Sequence, residues 1–194
     1  GDTSGRAGLS REYFDRLING RLRDLDDQPP STMQGLQEYA QETSAPLVIL
    51  ALEIMDARGE AVLTAGTHSG TAWALSGLIR AIPHAFRVGR RYLPAELCAR
   101  HGFAYKDLTE KESREPLKAV VEALSVQVGQ EISAARSYRR DVPRAALPAM
   151  MPVAYSAYCQ RQLQKAGFDP YDIRVVSAPP MIAWRLLFRV KRGR

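Results

Sequence analysis

Apolar residues recur every three or four positions along most of this chain, which is the spacing of one buried face of an α-helix. The longest regular run extends over residues 113–140. No pair of alternating segments joined by a turn dipeptide marks a β-hairpin. The pattern therefore predicts an all-α fold. The buried face of the longest helix would comprise Leu117, Val120, Val121, Leu124, Val128, Ile132 and Ala135.

Capping residues and helix breakers set the predicted boundaries of the other helices. Ser10 is placed to cap a first helix, and Ser31 or Thr32 to cap a second. Pro46 should kink the second helix or begin a new one, and Pro83 should break the third. The buried stripe of the first helix would comprise Phe14, Leu17, Ile18, Leu22 and Leu25.

The length of 194 residues suits one domain, and the 45% share of hydrophobic residues excludes a wholly disordered chain. The longest apolar stretch, residues 45–52, is far shorter than the roughly 20 residues that a membrane span needs. Two cysteines are too few for a disulfide framework. We expect a flexible lead-in over residues 1–10, a helical domain over 11–190 and a basic tail over 191–194.

The charge is distributed unevenly along the chain. Residues 1–79 carry 6 basic and 11 acidic side chains, whereas residues 80–194 carry 21 basic and 10 acidic ones. Arginine accounts for 22 of the 27 basic residues, and its planar guanidinium makes bidentate contacts with carboxylates and phosphates. The formal charge of +6 therefore combines an acidic N-terminal part with a strongly basic C-terminal part. A basic face is usually a solvated surface, and it can also bind an acidic partner, RNA or anionic lipid.

The residues that could hold a metal ion do not form a set with the required spacing. Asp24, Asp26 and Asp27 form the densest carboxylate group, and we interpret them as a solvated helix end. Cys98 and His101 could share a helix face, but a zinc site needs three or four ligands. No nucleophile elbow, Walker loop or dinucleotide fingerprint is present. These patterns predict neither a metal site nor a catalytic group.

Four arginines and a histidine are concentrated between two helix breakers in residues 80–94. One interpretation is a basic loop that pairs with the acidic N-terminal part of the same chain. The other is an anion site for phosphate, diphosphate or RNA, on which the arginines converge. The arginines are Arg80, Arg87, Arg90 and Arg91.

The same region resembles the squalene and phytoene synthase family. The first part of the family pattern is matched by Gly70, Ala72, Trp73, Leu75, Leu78, Ile79 and Arg80. The second part is matched, after the same intervening length, by Gly89, Arg90, Tyr92, Leu93 and Pro94. The resemblance implies an isoprenoid-synthase-type helical bundle.

The departures from the family pattern concern the residues that bind magnesium. The two aspartates of the second metal motif would fall at Ala81 and Ala85, and an alanine methyl cannot coordinate a hard cation. The first aspartate-rich motif would precede Gly1, so we expect a bundle that lacks its N-terminal helices. The resemblance therefore implies no catalytic residue, no metal and no cofactor.

Part of this segment is similar to a non-catalytic subgroup of the family that acts in the assembly of mitochondrial complex I. Arg80, Ala81 and Pro83 follow the order of the subgroup, and His68 matches upstream. The resemblance implies the mitochondrial matrix, protein subunits of a respiratory complex as partners, and no small-molecule substrate. A vestigial anion pocket or partner surface would comprise Arg80, Arg87, Arg90, Arg91 and Tyr92.

Two alternative functions and one further contact stay open at this point. A structural role in a mitochondrial ribonucleoprotein such as the ribosome would use the basic C-terminal part of the chain to contact RNA. A prenyl-diphosphate transferase would need replacement carboxylates, for which Asp24, Asp27 and Glu53 are the candidates. The apolar and basic segment 184–194 is either a last packed helix with a frayed basic end or a peripheral contact with the inner membrane. Further partner contacts would come from Arg136, Arg139, Arg140 and Arg144.

Overall fold

Seven α-helices and no strand make up the part of the chain that the computed structural model describes, which is residues 8–25, 28–105 and 114–177. The helices are α1 (Arg11–Leu22), α2 (Met33–Ile54), α3 (Glu60–Arg87), α4 (Ala95–Arg100), α5 (Arg114–Ser137), α6 (Met151–Lys165) and α7 (Ile173–Val176). Short 3-10 helices lie at Arg23–Leu25 and Arg144–Met150. The predicted all-α fold is confirmed.

Helix α3 is the centre of the bundle, because it packs against α2, α5 and α6, while α1 packs against α2. Small residues allow the close approach of α3 to α2. A Cβ atom at Gly70 would lie 2.5 Å from the Cα of Ala45, and one at Gly66 would lie 2.9 Å from Cδ1 of Leu52. Any larger side chain at Gly70 would therefore push the two backbones apart.

Helix α5 buries the whole face that its periodicity predicts, from Leu117 to Ala135. It is nevertheless not the longest helix of the described part, as the sequence suggested, because α3 has 28 residues and α5 has 24. Thr32 caps α2 as predicted, since its side-chain oxygen accepts a hydrogen bond from the backbone N–H of Gly35 at 3.0 Å.

The buried stripe predicted for α1 is wrong. Four of its five residues are exposed, among them Ile18 at 62% and Leu25 at 81%. The helix instead turns Tyr13 and Gly20 towards α2, where a Cβ on Gly20 would lie 2.9 Å from that of Glu42. The close approach at this glycine fixes the rotation of α1 and leaves the apolar stripe in solvent. Its exposed members are Phe14, Ile18, Leu22 and Leu25.

The two helix-interior prolines do not end their helices. A single helix α2 runs through Pro46, so no new helix begins there, and α3 continues past Pro83 to Arg87. Pro83 removes one backbone donor, but the last turn of α3 is held by packing. Phe86 stacks on Phe103 at a centroid distance of 6.0 Å and meets the Tyr105 ring edge-on at 5.4 Å. Tertiary contacts thus outweigh the local preference to break the helix.

A buried carboxylate joins three helices inside the bundle. Glu131 of α5 accepts hydrogen bonds from Gln37 of α2 at 2.6 Å and from Gln127 of its own helix at 3.3 Å. Its other oxygen lies 2.7 Å from Nδ1 of His68 on α3. Each carboxylate oxygen of Glu131 thus has at least one hydrogen-bond partner, so folding leaves neither of these buried polar atoms unsatisfied.

Some predictions fall on residues outside the described part. These include Asp26, Asp27 and the apolar and basic segment 184–194, and the domain limits stay predictions. None of the described helices combines the length and the apolar character that crossing a bilayer requires.

Candidate functional site

A cleft of about 470 Å³ opens between α2 and α3 and is closed at one end by the loop that follows α3. Its floor is one face of α3, formed by Trp73, Ala74, Gly77, Leu78, Ala81, His84, Ala85 and Val88. Its other walls are Tyr39, Thr43, Ser44 and Leu47 from α2, Arg21 from α1, and Arg90 and Tyr92 from the loop. The predicted site residues Ala81, Ala85, Arg90 and Tyr92 therefore lie in one cleft.

The floor is open because α3 carries small side chains along it. Gly77, Ala81 and Ala85 are spaced by four residues and therefore follow one another along the same face of the helix. A Cβ on Gly77 would meet no atom within 4 Å. Large apolar side chains flank this strip and remain partly in solvent, namely Trp73 at 39%, Leu47 at 44% and Val88 at 56% exposure.

A second cavity of about 430 Å³ adjoins the cleft, and Tyr39, Arg90 and Tyr92 line both. Asp24 lies at the boundary between the two. The hydroxyl of Tyr39 donates to Oδ1 of Asp24 at 2.8 Å, and Nη1 of Arg21 donates to Oδ2 at 3.1 Å. Burial, followed by this hydrogen bond, raises the pKa of Tyr39. Asp24 is therefore not the solvated helix end that the sequence suggested.

The four arginines of the basic segment do not converge on one point. Arg80 leaves the cleft: its Nε donates to the carbonyl of Val175 at 3.1 Å, and its guanidinium lies 5.4 Å from the Tyr155 ring centroid. Of the other three, Arg87 donates to Nδ1 of His84 at 3.3 Å and Arg90 to the carbonyl of Asp24 at 3.0 Å, while Arg91 stacks 5.4 Å from the Tyr105 ring centroid. The four cations thus serve different elements.

The described lining of the cleft supplies no ligand set for a magnesium-bridged diphosphate. Its lining offers hydroxyl groups, one imidazole and two guanidinium groups, but no Asp or Glu among the residues that the structure describes there. Magnesium in proteins is held by carboxylates together with water and substrate phosphates. Across the described residues, no three His, Cys, Asp or Glu side chains are grouped closely enough to hold a metal ion.

The two cysteines are buried and unpaired with each other. Burial raises the pKa of both the Cys98 and the Cys159 thiol, so neither has the low-pKa thiolate that reactive cysteines carry. Cys98 faces Tyr105, whose hydroxyl donates to the carbonyl of Leu93 at 3.1 Å. This thiol therefore packs beneath the loop that follows α3.

Sequence reasoning missed two contributions to the cleft. Tyr39, Thr43 and Leu47 are spaced by four residues and line one wall, so the helical period of α2 could have identified the wall. No pattern in the sequence predicted that Arg21 lines the cleft, because its position depends on the rotation of α1 against α2.

Two relatives show how much of longer proteins this chain matches. It is 28% identical over 161 residues to NADH dehydrogenase (ubiquinone) complex I, assembly factor 6, of Mus musculus. The aligned region covers 83% of this chain and 48% of that protein. It is 27% identical over 111 residues to 15-cis-phytoene synthase of Enterobacter agglomerans, which covers 57% of this chain and 37% of that protein. The chain thus spans about half the length of the assembly-factor relatives it matches.

The fold is shared with solved squalene synthases. The structure of squalene synthase HpnC from Alicyclobacillus acidocaldarius superposes with a TM-score of 0.79 at 18% identity, over 87% of this chain and 65% of that one. An isoprenoid-synthase-type bundle is therefore the fold of this protein, as the resemblance implied. A sequence profile of the squalene/phytoene synthase family matches residues 1–182. This protein belongs to the squalene/phytoene synthase family.

Proposed function

We propose that this protein is a non-catalytic member of its family, which acts in the assembly of respiratory complex I, or as an accessory subunit of it, by binding protein subunits. The observation that carries the proposal is the lining of the family cleft. Ala81 and Ala85 lie on its floor, and its ionisable walls in the described part are Arg21, His84, Arg90 and two tyrosines. Such a lining attracts anions but offers no carboxylate to hold magnesium.

The charges near the cleft also argue against prenyl transfer. Asp24 contacts two residues of the cleft walls, because its side-chain oxygens accept hydrogen bonds from Arg21 and Tyr39. Of the other two candidates, Asp27 lies outside the described residues, and Glu53 accepts hydrogen bonds from the backbone N–H and the hydroxyl of Ser10. Neither of the two described carboxylates is therefore free to take the place of the family's aspartates.

The relatives supply the process to which we assign the protein. Assembly factors of complex I from mouse, cattle and human are 25–28% identical to this chain over 83–84% of its length. The partners would be protein subunits of complex I. The location would be the mitochondrial matrix, peripheral to the inner membrane.

Deletion of the gene in the source organism tests this proposal. We expect native gels of mitochondrial membranes to show loss of assembled complex I, with intact mitochondrial ribosomes on sucrose gradients. Re-expression of the chain should restore the complex. Normal complex I in the deletion strain would contradict the proposal, and selective loss of a ribosomal subunit would favour the ribonucleoprotein alternative.

A further inference from the structure

The cleft between α2 and α3 is an apolar groove whose large side chains have no cover in the described structure. Leu47, Trp73 and Val88 line it from three positions, and between 39% and 56% of each side chain remains in solvent. Large apolar side chains that line one groove and remain partly in solvent are typical of binding surfaces. The groove is deeper at Gly77, because no atom lies within 4 Å of a Cβ placed at this residue.

The charged side chains that line the groove are all basic, although one of them, Arg21, is paired with the carboxylate of Asp24, which lies just outside the lining. The cationic or protonatable side chains on its walls are Arg21, His84 and Arg90, and the exposed Arg87 donates to His84 at its edge. No acidic side chain is among the lining residues that the structure describes. An occupant with carboxylates beside an apolar face would therefore be complementary in both charge and polarity.

The walls also decide the backbone conformation of the occupant. Both long walls are α-helices, whose backbone groups are already paired, so no sheet edge is available to add a strand. A polypeptide that enters an apolar groove must therefore satisfy its own backbone hydrogen bonds. An α-helix does so and presents apolar residues at spacings of three and four.

We propose that the groove between α2 and α3 binds one amphipathic α-helix of a partner protein, whose apolar face covers Leu47, Trp73 and Val88 and whose carboxylates face Arg87 and Arg90. This proposal rests on the proposed function in one respect, which is that the partner is a subunit of complex I. The C-terminal residues 178–194 are a poorer occupant, since they contain five basic and no acidic side chains.

The test uses the full chain and a synthetic helical peptide of about 20 residues, which spans about 30 Å. The peptide carries leucine at spacings of three and four, with glutamate on either side of that face. Two matched peptides replace every glutamate with lysine or scramble the order. We expect titration followed by Trp fluorescence to show binding of the glutamate peptide and at least tenfold weaker binding of the other two.

Two substitutions locate the binding surface. Gly77→Leu places a side chain in the open space of the groove and should reduce the affinity for the glutamate peptide at least tenfold. Ser133→Leu, at an exposed position of α5, should leave this affinity unchanged. Arg87→Glu should weaken binding of the glutamate peptide about threefold and strengthen binding of the lysine peptide, as changes of rim charges do. Arg100→Glu, at an exposed position of α4, should do neither. Circular dichroism confirms that each variant is folded.

Three results would overturn the groove proposal. These are equal affinity for all three peptides, binding that Gly77→Leu leaves unchanged, and binding only to anionic vesicles or to a second copy of the chain. None of them affects the proposed function, which fails only if complex I is normal in the deletion strain. If complex I depends on the chain but Gly77→Leu restores it fully, the function stands and the groove proposal is wrong.

Discussion

Nδ1 of His68 lies 2.7 Å from Oε2 of Glu131, and this contact ties α3 to α5 at the centre of the bundle. The carboxylate is almost completely buried and also accepts a hydrogen bond from Gln37 of α2. Three helices that build the cleft or support its floor therefore meet at one charged group.

Removal of this carboxylate should destabilise the fold. Glu131→Leu leaves the donors of His68 and Gln37 without an acceptor, and we expect the free energy of unfolding to fall by about 2–3 kcal/mol. Urea denaturation followed by circular dichroism measures the change. Glu122→Leu, at an exposed position of the same helix, is the control and should change stability by less than about 0.5 kcal/mol. Equal effects of the two variants would show that the network contributes nothing specific.

Two glycines of α3 should respond to alanine with opposite signs. Gly70→Ala places a Cβ 2.5 Å from the Cα of Ala45, and we expect a loss of about 1–3 kcal/mol in unfolding free energy. Gly77→Ala meets no atom within 4 Å and should stabilise the helix by about 0.5–1 kcal/mol. Thermal unfolding of both variants provides the comparison, and a destabilised Gly77→Ala would mean that the groove is not open.

Glu53 should hold the first turn of α1 in place. Its carboxylate accepts a hydrogen bond from the backbone N–H of Ser10 at 2.9 Å and another from the Ser10 hydroxyl at 2.5 Å. Glu53→Ala should therefore increase deuterium uptake in residues 11–14, measured by mass spectrometry, while Glu60→Ala should not. Unchanged uptake in the Glu53 variant would assign the anchoring of α1 to Tyr13 and Gly20 alone.

Both thiols should resist alkylation in the native protein. Burial raises the pKa of Cys98 and Cys159, so the reactive thiolate is scarcer at neutral pH than in a free cysteine. We expect iodoacetamide labelling at neutral pH to be slow in the folded chain and fast in urea, and the native rate to rise at a higher pH than for a free thiol. Rapid labelling of the folded chain at neutral pH would show that the thiols are accessible.

Periodicity alone predicted the buried face of α5, because the large apolar residues of that helix fall on one face, with the exposed Val126 as an exception. It could not predict the rotation of α1, which has apolar residues on two sides, at Phe14 and at Tyr13. The close contact of Gly20 with Glu42 selects between these sides, and such a contact depends on another helix.

The candidate site was predictable to a similar extent. The family resemblance singled out Ala81 and Ala85 as the positions of the metal-binding aspartates, and the structure places both on the floor of the cleft. The partners of the arginines were not predictable, since a long side chain reaches residues far away in sequence. Arg80, for example, binds the carbonyl of Val175, 95 positions away.

A non-catalytic role excludes prenyl transfer by the full chain. An assay of prenyl transfer is therefore the most direct test of that role. The chain is incubated with radiolabelled prenyl diphosphates, magnesium and NADPH, beside an active squalene synthase as the positive control, and the extracted lipids are separated. We predict no labelled product above the protein-free blank. Formation of a prenyl-transfer product that scales with the amount of chain would contradict the non-catalytic role.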